Sequence, residues 1–544
     1  MDQFSNLMSR HHQMIINNPI ISGFSPDPTI CQVDGVYYLA NSSFQFFPGI
    51  PIYASTDLAN WTHIGNGLNR HSQVDLSKVT TIIQTYSDVH DDAKPFIYNW
   101  GIAAPTIRYH QGRFYIICTC VNPRPNDKEY INFVISTDNI YQESSWSDPV
   151  FFEFQGIDPD LFFEDGKAYV TGSYTYHPRI EGQARTTIKQ FELDIDTGEK
   201  LSQEREIWKG WSGCRVVPEG PHIYKKNGWY YCLVSDGGTF THHMLTIARS
   251  KTIDGPYEES PNNPIFTADP SGEFTAPVLN ESGEPDYIQY TGHGDFFQVQ
   301  DDGSWWCVFL AVRFENGKHP MGRESFIVRI DWSGEWPKFD NKVSLKLEGP
   351  KFDNTPGKLE VMKQDNKLEY LFIKNPCLSN YRIGKGRIEI QPSKADLVDE
   401  AVGISFIGVR QRQLSEIAKV TMQISNDGRV KSGICLFKDL YRVFEVGYRS
   451  DTRKVYFQSR GLPNNIRYGE ADYGDAGGGG RLSLRIVADR DTYRFEYFDH
   501  HHRWVELGRI DAGDVTAWDF TGTLFGLYAI GEGAAREFLG FEVR

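Results

Sequence analysis

Residues 159–171 read PDLFFEDGKAYVT: a short β-prone run, a DG pair suited to a tight turn, and a second β-prone run. That is the signature of a hairpin. The arrangement recurs with the turn glycine at Gly35 in "DGVYYLA", Gly112 in "QGRFYII", Gly228 in "NGWYYCL" and Gly303 in "DGSWWCV". With Gly166 included, the five glycines are 77, 54, 62 and 75 residues apart. The strands before the other four turns are "PTICQV", "PTIRYH", "PHIYKK" and "DFFQVQ". Segments that would favour long helices are nearly absent. Five hairpins at blade-sized intervals predict an all-β fold beginning with a five-bladed β-propeller over residues 14–345. The competing reading is a large β-sandwich cut by irregular insertions.

If the strand before each turn is the innermost of its blade, residues equally far before the glycine share a height on the channel wall. Eight residues back lie Asp27, Ala104, Asp158, Gly220 and Asp295; Glu219 is one earlier in its blade and His293 two earlier in the last. Taken singly, Asp27 in "SPDP" and Asp158 in "IDPD" read as turn formers, Glu219 in "PEGPH" as a loop carboxylate and His293 as a core histidine. Taken together, three acids at one channel mouth would repel each other, and a functional role explains their presence better. Phe44, Phe46 and Phe47 follow the first inner strand, and "SDGGTFTHHM" supplies Thr239 and His243 near the fourth. Aromatic planes beside carboxylates and histidines suit a neutral carbohydrate.

The 544-residue chain is 40% hydrophobic, enough for a large core and for two domains. A formal charge of -15 argues against a nucleic-acid or anionic-membrane surface. The first twenty residues lack a basic region followed by an apolar run, and no window approaches the roughly 18 apolar residues of a membrane span. The eight cysteines lack metal-ligand spacing and read as free thiols. A cytoplasmic location is the expectation.

Beyond "KFDNTPGK" the repeat disappears. From about Leu359 come alternating strands such as "RLSLRIVADRDTYRFEYF" and "GTLFGLYAI", which predict an antiparallel β-sandwich over residues 355–544. Gly477 to Gly480 read as a flexible loop within it.

The motifs "NPIISGFSPDPTI", "FFPGIPIYASTDLANW", "APTIRY", "GIDPDLFFEDGKAYV", "EGPHIYKKNGWYY", "TGHGDFF" and "MGRESF", in that order between Asn18 and Pro337, together resemble glycoside hydrolase family 43 proteins of the β-xylosidase and α-L-arabinofuranosidase type. The tail is similar to the concanavalin-like β-sandwich often appended to them. The resemblance implies a propeller, with Asp27 as general base, Glu219 as general acid and Asp158 as the acid that orients its partner and raises its pKa. It implies substrate-binding roles for Phe44, His243 and Arg323, and a lid carrying Phe520 in "WDFTGTLFG". It also implies a channel position for His293, which in several relatives helps hold a hydrated calcium; the ion is an optional element, and no other cofactor is required. The chain departs from the family where "GIAAPT" has Ala103 in place of a tryptophan, and at Gln45 and Phe46, where Glu and Trp are common. The expected activity is exo-acting, inverting release of terminal xylose from xylo-oligosaccharides. The alternatives are an α-L-arabinofuranosidase acting on arabinoxylan fragments and a sugar-binding propeller without turnover.

Overall fold

The computed structural model describes residues 12–84, 96–124, 127–176, 185–214, 216–340, 342–353, 357, 359, 366–461, 466–473 and 480–544. Residues 477–479 of the glycine run lie outside these. Among the described residues the only helices are short 3-10 turns, and none is long and apolar enough to cross a membrane.

Each recurring hairpin begins a separate antiparallel sheet. The strand before the turn is innermost every time: Thr29–Val33, Ile102–His110, Gly156–Glu164, Glu219–Lys226 and Ile288–Gln298. These five strands neighbour one another in sequence order, and the fifth returns to the first, closing a five-bladed ring. The outer strands bury the apolar positions that the sequence marked: Trp306, Cys307, Val308 and Phe309 in the last blade are fully buried between neighbours. All eight cysteines are free, five of them buried.

The last blade has three strands, and its outer edge is met by the N-terminal segment, where Ile20 N–H donates to Ser325 O at 2.8 Å and Ile21 bridges Ser325. Nearby, His12–Asn17 pairs antiparallel with Lys346–Phe352. The bounds read from sequence leave Lys346–Phe352 between the two predicted domains; here it forms a two-stranded sheet with the N-terminal segment, so the propeller unit runs past residue 345.

The C-terminal region is a two-layer sandwich of a seven-stranded and a six-stranded antiparallel sheet. Period-2 patterning produces it: along Ser415–Gln423, Ala418, Val420 and Met422 are buried while Ser415 and Ile417 are exposed. Contacts with the propeller are extensive. Phe372–Ile373 pairs with Phe46–Phe47, and Trp518–Asp519 lies parallel to Phe96–Asn99 of the propeller. One apolar cluster combines Phe24, Phe44, Phe46 and Phe240 of the propeller with Phe406, Phe437, Trp518 and Phe520 of the sandwich.

Candidate active site

Four of the five positions read off the turn glycines share an unusual backbone. Asp27 (φ 51°), Ala104 (45°), Asp158 (55°) and Gly220 (57°) are all left-handed. In the fifth blade the equivalent residue is His293 (φ 48°), not Asp295. Two register shifts in Ile288–Gln298, between Gln289 and Gly292 and between Gly292 and Asp295, move the bulge two residues earlier. Asp295 therefore belongs one layer deeper, with Thr29, Thr106, Asp160 and His222. The left-handed bend breaks the strand ladder and turns the residue toward the mouth of the channel. Aspartate tolerates this conformation better than most side chains. Gly220 is required for a different reason: a Cβ there would come within 3.0 Å of the His293 ring.

Asp27 is buried. Its Oδ2 accepts a 2.5 Å hydrogen bond from Ser42 Oγ, which itself accepts from the Ala104 N–H at 2.6 Å. Its Oδ1 lies 3.8 Å from His293 Nδ1 and 4.0 Å from Arg323 Nη1. Asp158 accepts from the Gly220 N–H at 3.1 Å. Glu219, with 14% of its side chain exposed, lies 3.9 Å from His243 Nε2. The three acids are close enough to affect each other's ionisation. Burial pushes Glu219 up to about 7; Arg323 opposes this, while the charges of Asp27 and Asp236 add to it. Burial likewise pushes Asp158 well up, reinforced by Glu219 and Asp27. Burial, with the charges of Asp27 and Asp236, favours the proton on Glu219; Asp158, which the resemblance makes the source of that push, is itself raised by the charge of Glu219.

Burial, with Arg323 and His293 nearby, drives His243 well below the usual histidine range. A neutral His243 donates from Nδ1 to Tyr290 O at 3.3 Å and keeps the lone pair of Nε2, which has no other partner, on the Glu219 side. The ring fits there because Gly292 has no Cβ, which would lie 2.3 Å from it. Arg323 is held by Thr239 O at 2.6 Å and Thr239 Oγ1 at 2.5 Å. Its guanidinium lies over the Phe520 ring at 4.6 Å.

Phe520 packs among aromatic rings next to Arg323. Phe520 stacks on Phe44 at 5.5 Å and on Phe240 at 6.0 Å, and Trp100 meets it edge-on at 5.9 Å. Phe44 differs from the expected open stacking platform: one face meets Phe520 and the other Phe24, leaving 3% of the residue exposed. It backs the wall of the site. The segment carrying Phe520 is fixed from below by Asp519, which pairs with Lys438 at 3.0 Å and Arg442 at 2.6 Å, all fully buried. Residue 103 is a buried alanine, and the nearby aromatic surface comes from Trp100, Phe240 and Trp518.

Calcium takes six to eight oxygen ligands. Around His293 the donors do not fit it. Among the described residues no group of three or more His, Cys, Asp or Glu could hold a metal ion. The acids of the next layer, Asp160 and Asp295, are already engaged by Arg108 at 2.7 and 2.8 Å.

Sequence reading missed Ser42, Arg108, Trp100, Phe240 and Asp236. Asp236, pushed up to about 6 by burial, accepts from Trp211 and Gly237 N–H and so anchors the loop beside Glu219. Each of the five depends on a contact between segments that no local motif encodes: Arg108 stands inside "APTIRY", Asp236 and Phe240 inside "SDGGTFTHHM" and Trp100 three residues before Ala103, yet only the fold shows what they touch.

Comparison with known proteins bears on this geometry. Residues 16–337 match the model for glycosyl hydrolases family 43, and residues 363–542 that for the beta xylosidase C-terminal concanavalin A-like domain. The chain is 31% identical to a non-reducing end alpha-L-arabinofuranosidase of Bacteroides ovatus, over 96% of this chain and 93% of that one. It is 38% identical to a xylosidase/arabinosidase of Butyrivibrio fibrisolvens over 73% of each. The solved Bacteroides ovatus xyloglucan PUL GH43B superposes with a TM-score of 0.79 at 28% identity, covering 98% of this chain and all of that one. With a match to more than half of its length, the chain belongs to glycosyl hydrolases family 43 and carries a C-terminal concanavalin A-like domain.

Proposed function

We propose that the protein is an exo-acting, inverting glycosidase that releases terminal xylose from short xylo-oligosaccharides. Glu219 gives its proton to the glycosidic oxygen as the bond from the anomeric carbon breaks. A water attacks that carbon from the opposite face, and Asp27 takes its proton, so the product has inverted configuration. Asp158 shares the charge of the Glu219 site and holds the Gly220 N–H. Arg323 and neutral His243 face the sugar hydroxyls. The observation that carries the reading is the buried carboxyl of Glu219, pushed up to about 7 by burial, at the same channel mouth as Asp27, which Ser42 holds. A lid role for Phe520, which comes from the sandwich domain and packs against Arg323, belongs to this reading and accounts for an exo mode.

The calcium implied at His293 has no step in this reaction. A cytoplasmic location remains part of the proposal, resting on the free cysteines.

A second reading, α-L-arabinofuranosidase, is favoured by the small Ala103 and by the likeness over nearly the whole chain to the Bacteroides ovatus arabinofuranosidase. Proton NMR during hydrolysis of xylobiose, and of arabinose-substituted xylo-oligosaccharides, tests both. The first reading expects α-xylose as the first product from xylobiose. Turnover of only the substituted substrate would select the second, and a retained configuration would overturn both.

A further inference from the structure

One layer beneath the acids, the channel is crossed by a single side chain. Arg108, from the inner strand of the second blade, reaches all four other blades. Its Nη1 donates to Asp295 Oδ2 at 2.8 Å, and its Nη2 to Asp160 Oδ1 at 2.7 Å; His222 Nδ1 lies 3.0 Å from the same Nη2. Nη1 also donates to Ile107 O at 2.9 Å and lies 3.5 Å from Thr29 Oγ1 of the first blade. The partners are themselves held. Asp295 accepts from Thr29 Oγ1, the Ile30 N–H and Tyr224 OH at 2.8, 3.1 and 2.7 Å, and Asp160 accepts from the Ile223 N–H at 2.9 Å.

Each partner stands just below a residue of the site. Thr29 follows Asp27 by two residues, Asp160 follows Asp158 by two, Asp295 follows His293 by two, and His222 follows Glu219 by three. In the third, fourth and fifth blades these partners mark the end of the bulge: the register shifts between Ile157 and Asp160, Glu219 and His222, and Gly292 and Asp295. A bulge interrupts the ladder and leaves the strand without local support. The planar guanidinium, with five donors in a fixed fork, ties three such ends together.

We propose that Arg108 is the built-in cation of the channel: a positioning residue that takes the place of a divalent ion and holds the bulges carrying Asp27, Asp158, Glu219 and His293 in register. The cation is supplied by the chain and needs no loading. This rests on the glycosidase reading only for its activity measurement.

The experiment uses the full chain, with aryl β-D-xyloside and aryl α-L-arabinofuranoside as alternative substrates. The parent protein is expected to carry no stoichiometric divalent metal by elemental analysis, and to keep its rate and melting temperature in excess chelator or millimolar calcium chloride. Arg108→Ala is expected to lose about 10²-fold in kcat, the scale of a displaced catalytic group. Guanidinium chloride at millimolar concentration, which fills the vacated space, should restore at least tenfold. Arg108→Lys should fall between, since an ammonium cannot span three partners. A stoichiometric metal ion in the parent, or loss of melting temperature in chelator, overturns the proposal whether or not either substrate is cleaved and whether or not the variants fold. So does an Arg108→Ala protein with parental kcat, or one whose loss neither guanidinium nor calcium repairs. If neither substrate is turned over by the parent, the glycosidase reading fails while the metal measurements still decide this one.

Discussion

In the proposed reaction Glu219 donates a proton at a pH where an ordinary carboxyl has lost it. A group pushed up to about 7 by burial is protonated below that pH, so the rate on natural glycosides should fall as pH rises through about 7, the basic limb of a kcat/KM profile. Glu219→Gln should lower kcat on xylobiose by about 10²–10⁴-fold. It should cost far less on a dinitrophenyl glycoside, whose leaving group needs no proton. Stability should move the other way. The native protein retains a proton on Glu219 that the unfolded chain releases near 4.5, so the stability belonging to that proton is complete below 4.5 and lost as pH rises toward about 7. Glutamine cannot ionise, so the variant should melt higher than the parent at pH 7.5, with the gap closing toward pH 5 in a calorimetric series. Ser42→Ala removes the hydroxyl that holds Asp27. A hydrogen bond to a charged group contributes about 1.5–3 kcal/mol, so kcat should fall about ten- to hundredfold with KM little changed. The positions of Asp27 and Asp158 were legible in the sequence because both keep a fixed offset from a turn glycine. The offset misplaced the fifth blade, where a double register shift put His293 in that layer and Asp295 below it. Bulge position depends on how neighbouring inner strands meet, and a one-residue count from a turn cannot register it.

The elements that complete the site come from distant parts of the chain. The short strand Trp518–Asp519 lies beside Phe96–Asn99, some 420 residues away in sequence, and brings Phe520 over Phe44. Two buried cations hold Asp519 in place. Removing one member of a buried charge cluster leaves the others without compensation, at a cost of about 3–5 kcal/mol. Asp519→Ala should therefore lower the stability seen in denaturant unfolding by that amount. It should also raise KM several-fold, because Phe520 loses its anchor; Asp519→Asn should fall between parent and alanine. The sequence suggested Phe520 by resemblance alone. Asp519, Lys438 and Arg442 are ordinary surface-type residues in the primary structure, and only the folding of the sandwich, which brings segments about 80 residues apart together, reveals them as a buried cluster.

At the scale of the whole molecule, the two units read separately from sequence behave as one body. Their apolar clusters interpenetrate: one joins Phe24, Phe46 and Phe240 to Phe406 and Phe437, and another continues from the first and second blades into the sandwich core. A chain ending at residue 353 would expose much of that surface and would lack Phe520. It should be poorly soluble and should not turn over xylobiose, while the full chain should unfold in a single calorimetric transition. The division at residue 345 was harder to read, because Gly349 and Pro350 inside Lys346–Phe352 disguise a strand whose partner stands at the other end of the domain.

The meeting of His12–Asn17 and Ile21 with the far end of the propeller bears on how the protein is made. This segment leaves the ribosome long before it can find its place, since Ser325 and Lys346–Phe352 are translated more than 300 residues later. Early blades must then wait with one flank bare, and that interval, rather than the finished ring, is where the chain is most exposed to wrong partners.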